Sequence, residues 1–389
     1  MTNKAEALAW GEASLTVHQT SASDDDIISD ITKMRLPYHL LGGHLQRFGC
    51  HLVMRPDGHH TILTHGAHAI LDAHPNLYAL RYVFQALVDA TVLPPLETLN
   101  YGSEVANLPV DIVHLLGEEQ LQAAKSEKLK IFPQLSVDQG SVGVEPQRKA
   151  IIVPAHRLCV RATIDAEQTR RLLATLKRTG FSMTVLYEAA IALNTLRRKT
   201  DLSADAQYVQ NLTMIALERY FPTGYAAERH IASCMSYVST VVPARAMSAA
   251  SNSAQLRAAM ETLRDQYAYY LAQPALPLAN VVGAPQHDVA VSPHRPIVTN
   301  IGVVERFITP SFGGEHAEPA LTLQTMLVAQ RLTAAQGPVI HAWTFKDEFT
   351  VQIQALDIFD KEYLQSFLDD IISTMYSILE GDTVAEATD

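Results

Sequence analysis

Apolar and polar positions fall into short strand-like runs and longer runs of helical period. FGCHLVM (48–54) and HHTILTHGA (59–67) both read as strands, and Pro56-Asp57-Gly58 between them is a tight-turn sequence, so the pair predicts a β-hairpin. After Pro75, apolar residues at Leu77, Leu80, Phe84 and Leu87, with Thr91 beyond, follow the spacing of one buried helix face. Asp165 with Gln168 three residues on resembles a capping box, and Gly180 is a stop signal, so a helix is predicted between them. A second helix is predicted over about 184–198, and 233–243 (SCMSYVSTVVP) reads as a strand. Leu256, Met260, Leu263, Tyr267 and Leu271 then mark a long amphipathic helix.

The last third reads as strands at 296–307, 321–329, 339–345 and 349–357. Lys346-Asp347-Glu348 forms a hairpin loop between the last two, and a closing helix begins at Asp360 and carries Leu364, Phe367, Ile371 and Ile378. The polar first 30 residues, ending in Ser23-Asp24-Asp25-Asp26, read as a loosely held lead-in or a short strand and a helix start. Interspersed strands and helices give an α/β class with mixed sheets. Pro94-Pro95, Pro109 and Pro133 interrupt residues 92–150, and 140–146 (GSVGVEP) reads as a linker. The junction therefore lies near 140–160, with domains expected at 1–150 and 151–389.

Composition narrows the function. Of the 389 residues 48% are hydrophobic and 18% charged, enough apolar material for a buried core. A formal charge of −11 without a Lys/Arg run speaks against nucleic acid as the main partner. No apolar run approaches the ~18 residues of a membrane span, and no secretory leader is visible at the start. The three cysteines are far apart and form no metal-type pair, which fits a reducing, cytoplasmic setting.

Sixteen histidines cluster unevenly, and HHTILTHGAHAILDAHP (59–75) holds five of them with Asp72. His68 and Asp72 make an H-x-x-x-D pair where a strand gives way to a loop and a helix. An imidazole there can project from a fixed backbone and take a proton from a hydroxyl or amine. Asp72 can hold the loop by pairing with a basic residue, Arg81 being one candidate. Satisfied structural histidines and a metal site built from His65, His68, Asp72 and His74 are the alternatives. H-E-x-x-H, G-x-S-x-G, Walker-A and G-x-G-x-x-G patterns are absent, which leaves base-assisted transfer between two bound substrates as the simplest enzymatic reading.

The order of features resembles the chloramphenicol-acetyltransferase-like superfamily of coenzyme A-dependent acyltransferases and condensation domains. Within it the chain looks most like the fungal trichothecene O-acetyltransferase-type branch. The resemblance covers about residues 45–380. It rests on HAILDA (68–73) in place of H-x-x-x-D-G, on YGSEVANLPVD (101–111), on the strand–helix–helix run of 156–193, on TNIGVVERF (299–307) and on the terminal hairpin and helix of 342–371. Ala67 stands where many members have a second His, Ala73 replaces the usual Gly, and the D-F-G-W-G block of the plant branch is missing, with TNIGV in its approximate place.

This resemblance implies a two-lobed chloramphenicol-acetyltransferase-like fold with a tunnel between the lobes. It implies no bound cofactor, acyl-CoA as co-substrate and a small-molecule alcohol as acceptor. His68 would be the general base and Asp72 structural, with Ser239, Thr240, Asn300 and the Gly302 amide as candidates for substrate or oxyanion contact. For Asn300 and Gly302 a plain β-bulge is an equal reading. Arg170-Arg171 and Arg197-Arg198-Lys199 could meet CoA phosphates or simply form solvated faces. Trp343 and Phe345 are expected in the hairpin core, and Tyr267, Tyr269 and Tyr270 divided between core and surface. Three other readings stay open: acid/base cyclisation, dehydration or condensation without acyl-CoA, perhaps on a carrier-protein-bound substrate; a non-catalytic scaffold; and a metal-dependent hydrolase.

Overall fold

The computed structural model describes residues 3–34, 38–39, 45–68, 71–89, 91, 93–103, 110, 112–135, 140–148, 156–199, 201–202, 207–221, 233–273, 275–279, 294–313, 320–332 and 337–380. In chain order the elements are α1 (Lys4–Ser14), β1 (Leu15–Gln19), α2 (Asp24–Lys33), β2 (Tyr38–His39), β3 (Leu45–Gln46), β4 (Phe48–Met54), β5 (His60–Gly66) and α3 (Ala73–Val88). Then come α4 (Ile112–Leu135), broken at Gly117, β6 (Ser141–Val142), β7 (Arg157–Ile164), α5 (Ala166–Thr179), α6 (Met183–Arg197), β8 (Tyr208–Ala216) and β9 (Met235–Pro243). The chain continues with α7 (Asn252–Ala272), α8 (Ala275–Ala279), β10 (Ile297–Val303), β11 (Ser311–Phe312), β12 (Leu321–Thr322), β13 (Val339–Phe345), β14 (Glu348–Leu356) and α9 (Lys361–Tyr376). Among the described residues no helix is long and apolar enough to cross a membrane.

Two compact units result. The first is Met1–Ile112 with two later excursions, Pro222–Cys234 and Val304–Arg331; the second is the remainder. The expected single cut at 150/151 does not match this division. β6 pairs with β8, and Val142 and Val144 sit in the core of the second unit, so the chain has entered that unit well before residue 150.

In the first unit β1, β4 and β5 form a three-stranded sheet, β1 parallel and β5 antiparallel to β4. The β4–β5 hairpin turns at Gly58, where φ is 82°, with the Asp57 carboxylate accepting from the His59 N–H at 2.9 Å. Ile27 and Ile31 of α2 pack on Val53, with Leu63 beside them. Ser23 caps α2 by accepting from the Asp26 N–H at 3.2 Å, so the acidic run 24–26 is the favoured first turn of a helix.

The second unit is a mixed seven-stranded sheet, running β6-β8-β10-β13-β14-β7 with β9 on β8. Its core joins Ile164, Val298, Ile340, Val351 and Ile353 of the strands to Leu172 and Leu176 of α5, Leu256, Met260 and Leu263 of α7, and Leu364, Phe367 and Ile371 of α9. Asp165 caps α5 from its side chain to the Gln168 N–H at 2.8 Å, and Gly180 ends it at φ 74°, a left-handed conformation that costs a residue with a Cβ. The β13–β14 loop is tighter than expected. Only Lys346 and Asp347 turn, both at positive φ, and Glu348 already pairs with Phe345. Trp343 and Phe345 are buried in this hairpin. Residues 321–329 do not form the expected strand. Pairing stops after Leu321–Thr322, and 323–332 run without regular structure over apolar residues that lack strict alternation.

α6 differs from a one-faced helix, because Val185 through Leu196 are all buried. Glu188 is therefore carried into the core. Its carboxylate accepts from the hydroxyls of Thr213 at 2.9 Å, Thr240 at 3.2 Å and Tyr267. Burial raises it from the ordinary 4.5 to about 7, opposed by these three hydroxyls. A raised carboxyl favours the fold when protonated, so its contribution is complete below about pH 4.5 and is lost as pH climbs through 7. The second unit is expected to lose about 3 kcal/mol of stability over that climb, read by urea unfolding of the buried Trp343, and Glu188→Gln is expected to flatten the dependence.

Candidate active site

β5 ends at Gly66, and the chain then makes one turn before α3. The Leu71 N–H donates to the Ala67 carbonyl at 3.2 Å, and the Ala67 N–H donates to the Arg47 carbonyl at 3.0 Å, which closes the turn on the sheet. His68 stands on this turn, exposed, with Nδ1 3.0 Å from the Leu71 carbonyl. A carbonyl only accepts, so Nδ1 carries the hydrogen and Nε2 keeps its lone pair. The Leu71 carbonyl thus sets the tautomer and orientation of the ring.

Asp72 is the N-cap of α3. One carboxylate oxygen accepts from the His74 N–H at 3.2 Å. The other accepts from the Cys234 N–H at 2.7 Å and from the Ser233 hydroxyl at 3.4 Å. Burial raises the Asp72 carboxyl above its ordinary range, and the Cys234 N–H, His74 and His68 pull it back. Arg81 is not its partner. The guanidinium lies over the rings of Tyr78 and Tyr82, at 5.5 and 5.2 Å, because two turns of helix carry it away from the cap. Ala73 is the first residue of α3 and needs no glycine. Among the described residues the non-glycine positions at positive φ are His294, Lys346 and Asp347.

The rest of the first unit steadies α3. The Thr64 hydroxyl on β5 donates to Asn76 Oδ1 at 2.7 Å. The His74 ring stacks on Phe307 at 4.0 Å, Tyr78 meets Phe307 edge-on, and Phe84 packs near Phe312. Both excursions of the chain are thereby bonded to the helix that begins at Asp72. The Leu71 carbonyl and the Cys234 amide carry no side-chain signature, and Cys234 is 162 residues from Asp72, so sequence patterns missed both.

The four expected substrate contacts lie in the second unit. Thr240 on β9 is fully buried and its hydroxyl donates to Glu188, so it belongs to the core. Asn300 and Gly302 on β10 form a β-bulge: the register against β13 slips between them, Gly302 has φ 86°, and its N–H donates to Asn300 Oδ1 at 2.9 Å. Asn300 Nδ2 donates to the Thr184 hydroxyl at 3.0 Å. The Gly302 amide is therefore engaged within its own strand. Ser239 on β9 is half-buried. Its hydroxyl oxygen accepts from Gln210, and its carbonyl accepts from Tyr270 at 2.7 Å. Of the four, Ser239 alone keeps a hydroxyl hydrogen that these bonds do not use.

The basic helix positions are occupied too. Arg197 donates to Asn194, Thr374, Asn252 and Gln255, Arg198 pairs with Asp370, and Lys199 pairs with Glu145. Among the described residues no group of three His, Cys, Asp or Glu side chains is placed to hold a metal ion, so the proposed set of His65, His68, Asp72 and His74 does not converge.

No protein-family model matches the sequence, and no curated protein does. Solved structures do. TRI3 trichothecene 15-O-acetyltransferase from Fusarium sporotrichioides aligns with a TM-score of 0.72 at 18% identity, over 96% of this chain and 78% of that one. The epimerization domain from the third module of tyrocidine synthetase B aligns at 0.60 and 14%, over 94% and 80%. The first condensation domain of the calcium-dependent antibiotic synthetase aligns at 0.59 and 12%, over 94% and 78%. The chain therefore has the chloramphenicol-acetyltransferase-like, condensation-domain fold expected above.

Asp72→Ala removes the acceptor of both the α3 cap and the Cys234 amide. It is expected to destabilise the first unit by about 1–3 kcal/mol, whereas Asp72→Asn, whose amide oxygen still accepts, is expected to cost less. Thermal unfolding with amide exchange at 233–234 checks both values.

Proposed function

We propose that the protein is an O-acyltransferase that moves an acyl group, acetyl in the simplest case, from coenzyme A to a hydroxyl of a small metabolite. The observation that carries this reading is His68: exposed at the end of a sheet strand, with Nδ1 bonded to a backbone carbonyl and Nε2 left as a base. The fold it shares with an acetyltransferase supports the substrate class.

In this reading Nε2 takes the proton of the acceptor hydroxyl as the oxygen attacks the thioester carbonyl. The Leu71 carbonyl accepts from Nδ1–H before and after the transfer and so keeps the ring in one orientation throughout. The tetrahedral oxyanion then collapses, the C–S bond breaks, and the departing thiolate takes the proton back from Nε2. Asp72 takes no part in proton transfer and keeps Leu71 and the start of α3 in place.

The condensation and epimerization domains among the neighbours favour one second reading, in which the same base acts on a substrate tethered to a carrier protein. Purified protein given acetyl-CoA and a panel of small alcohols is expected to form esters and release thiol. His68→Ala is expected to lower the rate by about 10²–10⁴-fold. A variant with undiminished transfer refutes His68 as the base, and transfer from a carrier-bound acyl group but not from acetyl-CoA selects the second reading.

A further inference from the structure

Three histidines outside the H-x-x-x-D turn share one face of the first unit's sheet: His18 on β1, His51 on β4 and His65 on β5. His18 pairs in register with Val53, His51 with Leu63 and Gly49 with His65, so all three lie on the side where Val53 meets α2. His51 is buried. His18 Nε2 and His51 Nδ1 are 3.1 Å apart, and the ring centres are 5.4 Å apart with planes inclined by 28°. The two separations differ by about one ring radius at each end. The nitrogens thus lie on the line between the rings, which meet edge to edge rather than face to face. This is the geometry of an N–H···N hydrogen bond. It requires a hydrogen on one facing nitrogen and a lone pair on the other.

We propose that the His18–His51 contact is an acid-sensitive latch: a single hydrogen between the rings holds β1 against β4, and a second one forces the strands apart. With both facing nitrogens protonated, two N–H groups point at one another, and two positive charges lie side by side at a buried position.

The surrounding charges do not relieve this. α2 presents Asp24, held by Arg55 at 2.7 Å, Asp25, Asp26 bonded to the Ser23 hydroxyl, and Asp30, held by Lys33. α1 contributes Lys4, bonded to Glu97, with Glu6 and Glu12. The groups that act on His51 are its burial and two imidazoles, and no carboxylate is among them. The neighbour from β5 is another imidazole, His65, whose ring centre is 6.3 Å away. Burial, then His18, then His65 hold His51 down to about 4, and burial lowers His65 as well. A histidine lowered in the fold binds its proton more readily when unfolded. Its contribution is complete above pH 6.5 and is lost as pH falls toward 4.

This sign is the reverse of that set by Glu188, so acid loosens the first unit while it firms the second. β1 is an edge strand of the sheet, bonded to β4 alone among the described strands, and is the element such a latch would release.

Amide hydrogen exchange on the full chain, corrected for intrinsic rate, tests this. Acidification from pH 7 to pH 5 is expected to lower protection of 15–19 and 48–54 by roughly twenty-fold, while protection of β13 and β14, in the unit that Glu188 firms in acid, does not fall. His51→Gln is expected to remove most of that change. Imidazole ¹⁵N spectra of the unaltered protein provide a measurement independent of any variant. They are expected to show His51 titrating more than one unit below 6.5, and His18→Gln is expected to move it upward. Equal protection at both pH values, or a His51 that titrates at 6.5 or above, overturns the latch.

Discussion

A single carboxylate, Asp72, ties together the part of the molecule on which the catalytic reading depends. It ends the turn that carries His68, starts α3, and accepts the Cys234 amide from a segment far along the chain. Desolvation works against a charged group in this half-buried position, and its donors are backbone N–H groups and a hydroxyl rather than a guanidinium. Such an arrangement fixes position more than it adds stability. Each backbone donor has one direction, and the carboxylate must satisfy two of them at once. Leu71, the residue before Asp72, lends its amide to Ala67 and its carbonyl to His68, so whatever fixes Asp72 also fixes the orientation of the His68 ring.

The same solution recurs in the second unit. Glu188 is met by three hydroxyls, and Arg197 by two amide oxygens of asparagine, one of glutamine and a threonine hydroxyl. Neutral partners satisfy the hydrogen bonds of a buried ion but return little of its lost hydration. The ionised forms are therefore disfavoured: Glu188 and Asp72 move up, Arg197 moves down. pH is therefore expected to act on the fold through isolated buried groups rather than through surface ion pairs, which are screened and of small effect.

Local patterns were legible and distant ones were not. The β4–β5 and β13–β14 hairpins, the Asp165 cap, the Gly180 stop and the buried stripe of α7 follow from turn residues and periodicity within a window of one element. His68 was legible for the same reason, since a strand end, a short turn and a helix cap lie within nine residues, His65 to Ala73. The chain's two returns to the first unit were not. They are held by Phe307 and Phe312 against α3 and by the Cys234 amide against Asp72, contacts in which one partner is an ordinary aromatic or a backbone group. The surroundings of Thr240 and Gly302 were not legible either, because a hydroxyl on a strand and a glycine beside an asparagine read alike whether they face a ligand, a buried glutamate or a bulge.

The H-x-x-x-D spacing itself can now be given a physical reason. His68 must reach the Leu71 carbonyl three residues on, within one turn of chain, and Asp72 must directly follow that carbonyl to cap the next helix. One residue fewer would leave Nδ1 without its acceptor, and one more would separate the carbonyl from the residue that anchors it. The histidine and the aspartate are linked through the peptide between Leu71 and Asp72, besides the attraction between them. The carboxylate therefore need not face the imidazole to hold the carbonyl that its Nδ1 meets.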